Sequence, residues 1–274
     1  MARQTGIFNI SGKIGDQVFY YKNGKKLVRK AVNKETYTLS EGSRKTNKEF
    51  ASAHGVSNLF KKAVESFLKQ YADKQFINRL RGKLIEIINT GPQEKKGERS
   101  IVDGNLLMLK ELEFNCHTSL DKLVKFSPVI TIDPFKSIEL EIPAIQLAEA
   151  FSAPDNATHV VLSIQCCSFD LAEKNGRKSI AEELIIPLQT PTFSGGQLSI
   201  TLEYIEERLV VLIKGVGFLS NKKDRIFNRR YYAGKILEAF YVRDGQILQY
   251  NAPPPPPAPL PAQDVSKIVK WKLQ

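Results

Sequence analysis

The chain has 274 residues, 42% of them apolar and 25% charged, and a formal net charge of +11. This is the composition of a water-soluble globular protein, with material for one large domain or two ordinary ones. No apolar run reaches about 18 residues, so no transmembrane helix is expected; residues 1–10, MARQTGIFNI, lack the apolar core of a signal peptide, so a cytoplasmic start is expected.

The charge is unevenly placed. Residues 1–100 hold 21 Lys and Arg against 9 Asp and Glu, whereas residues 101–274 hold 19 against 20. A basic first third suggests an acidic partner, nucleic acid being the commonest, although solubility alone can produce such an asymmetry.

Residues 11–30, SGKIGDQVFYYKNGKKLVRK, are the most tightly specified stretch. Apolar runs at 17–21 and 26–30 flank Asn23-Gly24, which favours a two-residue type I′ hairpin. Closing on that turn pairs Tyr21 with Lys26, Tyr20 with Leu27, Phe19 with Val28 and Val18 with Arg29. Val18, Tyr20 and Leu27 then share one face, and Phe19, Tyr21 and Val28 the other. A lone hairpin is marginal in water, so other parts of the fold or a partner should cover it. Gly12, Lys13 and Gly15 suggest a phosphate loop, but the G-x-x-x-x-G-K-[ST] spacing is absent and a turn is the better reading.

After a polar connector, Phe50, Ala53, Val56, Phe60, Ala63, Val64, Phe67 and Tyr71 recur at three- and four-residue steps and predict an amphipathic helix. Ser40, Ser43 or Thr46 is its candidate cap. Asp73 should cap a second helix with the stripe Phe76, Ile77, Leu80, Leu84, Ile87 and Ile88, stopped at Gly91-Pro92. Lys61, Lys62, Lys69, Arg79, Arg81 and Lys83 lie largely off these stripes and read as a solvated basic face, the sharper alternative being a surface that tracks phosphates.

Beyond a charged loop at 93–99, the period changes to two. Candidate strands are 111–115, 129–132, 137–142, 158–171, 179–187, 197–205, 208–215 and 232–242, separated by turn signals. The fold class expected is α+β: an N-terminal β-hairpin and helical pair, then a mainly antiparallel β-sandwich, for which an immunoglobulin-like arrangement is one form. The expected domains are 1–100, basic hairpin plus helices; 101–250, β-sandwich; 251–262, a polyproline linker; and 263–274, a C-terminal strand carrying Trp271.

Cys116, Cys166 and Cys167 have no metal-ligand spacing and read as buried small hydrophobes, the adjacent pair pointing to opposite faces of a strand. His54, His117 and His159 are scattered; His117 beside Cys116 is only a faint sign of a nucleophile with its base. Asp170, Glu182, Glu183, Glu206 and Glu207 read as solvated carboxylates at strand ends. No catalytic, cofactor or metal motif is present, so no enzyme activity and no cofactor are expected.

Several short motifs carry a resemblance: Ser11-Gly12-Lys13-Ile14-Gly15 with its aromatic hairpin, the helix around Phe50, Leu112-Glu113-Phe114-Asn115, and Ala153-Pro154-Asp155-Asn156-Ala157-Thr158-His159. Together they resemble an uncharacterised domain family of Bacteroidota bacteria over most of residues 5–215. The resemblance implies a bacterial source and a helix-plus-β-sandwich layout, with no established activity and no catalytic residues.

The leading functional expectation is a structural or protein-interaction protein, binding another protein or itself through Phe19, Tyr20, Tyr21 and Trp271. The alternative is a nucleic-acid-binding protein contacting its ligand through Lys25, Lys26, Arg29 and Lys30. A component of a phage-like or secreted particle is a third reading.

Overall fold

The computed structural model describes residues 2–3, 10–22, 24–32, 38–134, 136–202, 207–220 and 224–252, giving only the backbone of 2–3 and 176–182. Asn23, the polyproline tract from residue 253 onward and Trp271 lie outside the described residues. The chain divides into two compact units, Met1–Arg44 and Lys45–Gln274.

The first unit is a four-stranded antiparallel sheet. Its strands β1 (Ala2–Arg3), β2 (Gly12–Ile14), β3 (Gln17–Lys22) and β4 (Lys25–Lys30) lie in the order β1-β4-β3-β2. The β3–β4 register is the one the Asn-Gly turn dictates, from Lys22 opposite Lys25 to Val18 opposite Arg29. Gly24 has φ +73°, the left-handed conformation such a turn requires.

The second unit begins within α1 (Glu41–Ala63), followed by α2 (Glu65–Tyr71) and α3 (Phe76–Asn89). Ser40 Oγ accepts the Ser43 amide at 3.2 Å and caps α1. The buried stripe of α1 differs from the expected one at its start: Phe50 is exposed and Glu49 is buried instead. Glu49 can turn inward because the Arg99 guanidinium meets it there, 2.7 Å away, and a paired charge tolerates burial. The helix breaks at Val64, and the stripe resumes as Phe67 and Tyr71.

Two sheets make the rest of the body. The larger has five antiparallel strands, β8 (His159–Asp170), β9 (Asn175–Pro187), β12 (Glu207–Leu219), β13 (Ala233–Arg243) and β14 (Gln246–Ile247), in the order β14-β13-β12-β8-β9. The smaller has β5 (Val129–Asp133), β6 (Ser137–Ile142) and β11 (Gly196–Thr201), in the order β11-β6-β5. The short strands β7 (Ile145–Gln146) and β10 (Thr192–Phe193) pair with each other. Two one-turn helices, α4 (Leu120–Leu123) and α5 (Leu147–Ala150), complete the unit.

The large sheet is covered on both faces, which is why β8 and β12 read as continuous apolar runs instead of alternating ones. On one face Cys167, Phe169, Leu209, Val211 and Ile213 pack against the helices. On the other, Ile164, Cys166, Val210 and Leu212 meet Ile138, Leu140 and Ile200 of the small sheet. Further along that second face, Val160, Leu162, Val216 and Phe218 pack under α4 and α5. The helices therefore share a core with the strands they were expected to precede as part of a separate N-terminal region.

Two details seat the helices. Gly215 and Gly234 are opposite each other across β12 and β13, and a Cβ on either would lie 2.9 Å from the ring of Phe67, a Cβ on Gly215 also from that of Tyr71. The paired glycines are a dent that receives these two rings. The 111–114 segment, expected as a strand, adds to the edge of β13 through the Phe114 amide to Gly234 and the Ile236 amide to Leu112. It delivers Phe114, stacked on Phe76 with centroids 4.1 Å apart, to the centre of the helical core.

Candidate functional site

The alternation of side chains along β2, β3 and β4 separates the residues of the N-terminal sheet into two chemically different faces. One carries Lys13, Val18, Tyr20, Lys22, Lys25, Leu27 and Arg29. Among the described side chains it has four cations and no carboxylate, and the Arg29 guanidinium lies 5.8 Å from the centre of the Tyr20 ring. The other carries Ile14, Phe19, Tyr21, Lys26, Val28 and Lys30; here Ile14 is 57% and Tyr21 67% exposed. The candidate protein contacts are thus divided, Phe19 and Tyr21 on the apolar face and Tyr20 on the basic one. The candidate nucleic-acid contacts divide too: Lys25 and Arg29 share a face with Lys13 and Lys22, while Lys26 and Lys30 point away. No described residue of the first unit is buried.

The expected basic helix face is largely consumed by internal bonds. Arg79 pairs with Asp73 at 2.8 Å and donates to the carbonyls of Glu113 and Phe114. Arg81 donates to Ser57 Oγ and Asn58, Lys69 pairs with Glu65, and Lys83 with Glu86. Lys61 and Lys62 have no hydrogen bond or ion pair among the described residues.

Asp73 explains Cys116. Its carboxylate accepts the Cys116 and Gln75 amides at 2.8 and 2.6 Å. Although burial opposes ionisation, these bonds and the Arg79 pair hold the Asp73 carboxyl far below the usual range. Cys116 is exposed, not buried as expected, and its backbone amide is one of the donors that Asp73 accepts. Cys166 and Cys167 are buried on opposite faces as expected, and burial pushes the Cys166 thiol up to about 12. Among the described residues no three His, Cys, Asp or Glu side chains converge as metal ligands.

A cluster of ionisable groups with no local sequence signal lies under α4. Lys214, 2% exposed, puts its ammonium 4.6 Å from the centre of the Phe126 ring. Burial lowers it to about 8, against the pull of Asp121. Lys235 bridges Glu111 and Asp121, the latter at 2.8 Å; burial opposes its charge, but those two partners hold it protonated. Burial raises Glu113 to about 7 although its oxygens accept the Leu120 amide at 3.1 Å. Chemically this cluster is a clamp: it ties α4 and the 111–114 segment to β12 and β13, and Lys214 faces an aromatic ring.

Of the former carboxylate candidates, Asp170 accepts the amides of Ala172 and Glu173 in a turn, and Glu207 pairs with Arg243 and accepts from Tyr241. Glu206 and the side chain of Glu182 lie outside the described residues. Glu207, Tyr241 and Arg243 line a cavity of about 900 Å³ together with Lys62, Lys95 and Asp103. Two of its four lining cations, Lys95 and Arg243, are neutralised by Asp103 and Glu207. No protein-family model matches the chain, and no curated protein matches it.

Proposed function

We propose that the protein is a non-catalytic interaction protein whose N-terminal sheet is its contact element. One observation carries this reading: a four-stranded sheet that bears Ile14, Phe19, Tyr21 and Val28 on one face has no buried residue among those described. Short antiparallel strands need an apolar face packed on something to be stable in water. A protein surface or a second copy of the chain laid on that face supplies it. The non-catalytic part of the reading is supported by the ion pairs and amide bonds that occupy Asp73, Glu113 and Lys235.

The test is the mass of the full chain in solution by light scattering, compared with Ile14→Ser and Tyr21→Ser. A defined oligomer that these substitutions return to monomer supports self-association. If the chain is a monomer, hydrogen exchange of β3 and β4 decides. Slow exchange in the isolated protein would show the sheet already satisfied and would sink the reading.

The other face favours a second reading, nucleic-acid binding. Lys13, Lys22, Lys25 and Arg29 share a face with Tyr20, with no carboxylate among the described side chains of that face, an arrangement suited to phosphates with a base against the ring. Lys22→Ala and Arg29→Ala should then weaken binding to mixed oligonucleotides and reduce its salt dependence, while Lys26→Ala and Lys30→Ala on the opposite face do less. Equal effects from both pairs would remove this reading.

A further inference from the structure

The loop between β12 and β13 places a phenyl ring in solvent and holds it there with bonds drawn from the interior. Phe227 is 74% exposed, the highest value among the exposed large apolar side chains. Around it the backbone is pinned. Asn115, 1% exposed, donates its side-chain amide to the carbonyls of Arg229 and Tyr232, both at 2.8 Å. Thr118 Oγ1 also donates to Arg229 O, and the Ile226 amide bonds to Phe218 O at 2.8 Å. On the inner side Arg225 donates to Gln70 and to Tyr71 Oη, its guanidinium 4.8 Å from the centre of the Tyr71 ring. A buried amide that serves the carbonyls of an exposed loop stabilises one conformation of it, and the side chains that residues 225–232 leave outside are Phe227, Asn228, Arg229 and Arg230, with Asp224 exposed just before them.

From this we infer that the 225–232 loop is a preformed contact for single-stranded nucleic acid, with Phe227 stacking on a base and Arg229 and Arg230 on the flanking phosphates. The sequence 220–232 holds five Lys and Arg against one Asp, a charge that suits a polyanion. The choice between nucleic acid and an acidic protein follows from the isolation of the ring. A protein interface is centred on a cluster of buried apolar side chains, whereas between Ser220 and Tyr232 Phe227 is the sole exposed large apolar side chain among the described residues. One ring suffices to stack one base. The loop belongs to the second compact unit, so the inference is independent of both readings of the N-terminal sheet.

The test uses the full chain and a fluorescent single-stranded DNA or RNA of about 20 nucleotides, long enough to span a typical binding site. Anisotropy is read from low to moderate salt, with polyglutamate as a polyanion lacking bases. Phe227→Ala should weaken oligonucleotide binding about tenfold and Phe227→Trp should restore it, with polyglutamate binding unchanged by either. Arg229→Ala and Arg230→Ala should each flatten the dependence of log affinity on log salt by about 0.7. Neutralising Lys22, Lys25 and Arg29 together should leave the Phe227→Ala factor intact, which separates this loop from the N-terminal sheet. The inference is overturned if the wild type fails to bind at low salt, if Phe227→Ala binds like wild type, or if polyglutamate binding falls in parallel. Unchanged thermal unfolding of Phe227→Ala excludes a folding defect as the cause.

Discussion

Glu49 and Arg99, fifty positions apart, face each other as a two-pronged ion pair, Oε1 to Nε at 2.7 Å and Oε2 to Nη2 at 3.0 Å. Both are nearly sealed from solvent, at 6% and 4% exposure, and the pair ties the first half of α1 to the loop that follows α3. Arg99→Met leaves a buried carboxylate without its partner and should cost about 3–5 kcal/mol in urea unfolding. Adding Glu49→Leu should recover much of that loss, because the unpaired charge goes with it. The Arg99 hydrogen bond, opposed by burial, holds the Glu49 carboxyl below its usual range. Its stabilisation is therefore present above the ordinary carboxylate range and lost as pH falls through the lowered value. Arg99→Met should flatten that acid limb.

Lys214 titrates with the opposite economy. Its folded value is about 8 against an ordinary 10.5. Below about 8 it is charged in both states, and the cost of burying the ammonium is fully present. Between 8 and 10.5 the unfolded chain binds more protons, so stability rises with pH. Lys214→Met keeps the apolar stem and removes the charge. It should stabilise the protein by about 1–3 kcal/mol at neutral pH, and the gain should fade toward pH 10.5. Equal gains at both ends would show that charge burial is not its source.

Glu113 should behave as the mirror image of Lys214. Its value of about 7 lies above the ordinary 4.5, so in that window the folded state binds more protons and stability falls as pH rises. Glu113→Gln retains an acceptor for the Leu120 amide. Allowing for partial exposure of the carboxyl, it should gain about 1 kcal/mol near pH 8 and nothing near pH 4. Thermal unfolding of the two proteins at those pH values measures the difference directly.

The glycine dent makes a packing prediction. An alanine Cβ at Gly215 meets the rings of Phe67 and Tyr71 at 2.9 Å, and both rings are locked in the helical core. Gly215→Ala should cost about 1–3 kcal/mol by overpacking. Gly196→Ala, on a strand where the nearest atom is Phe193 Cζ at 3.7 Å, is the control and should be close to neutral.

What the sequence showed and what it hid follow the range of the interactions involved. The β3–β4 register, the stripe of α3 and strands such as Ser137–Ile142 were readable because a turn dipeptide or a local period specifies them. Cys166 and Cys167 fell on opposite faces for the same reason. The preference for Glu49 over Phe50 was hidden, because a hydrophobic period assigns the inside to the phenyl ring and Arg99 stands in a charged loop with no local sign of its partner. Lys214 and Lys235 were hidden likewise: the carboxylates that hold Lys235 charged are Glu111 and Asp121, the latter 114 positions away. On the candidate surfaces, the division of Lys25 and Arg29 from Lys26 and Lys30 followed from register, but the exposed ring of Phe227 did not. The loop that carries it is bonded to Asn115, which no local pattern connects to residues 225–232.

The adjacent cysteines have a use beyond packing. Cys167 belongs to the core beneath the helices and Cys166 to the core beneath the small sheet. A thiol reagent reaches the first only when the helical layer lifts, and the second only when the small sheet departs. With Cys116 replaced by serine, labelling rates at two consecutive residues become two clocks, one for each half of the body. Read by mass spectrometry under native conditions, they would show which layer lets go first.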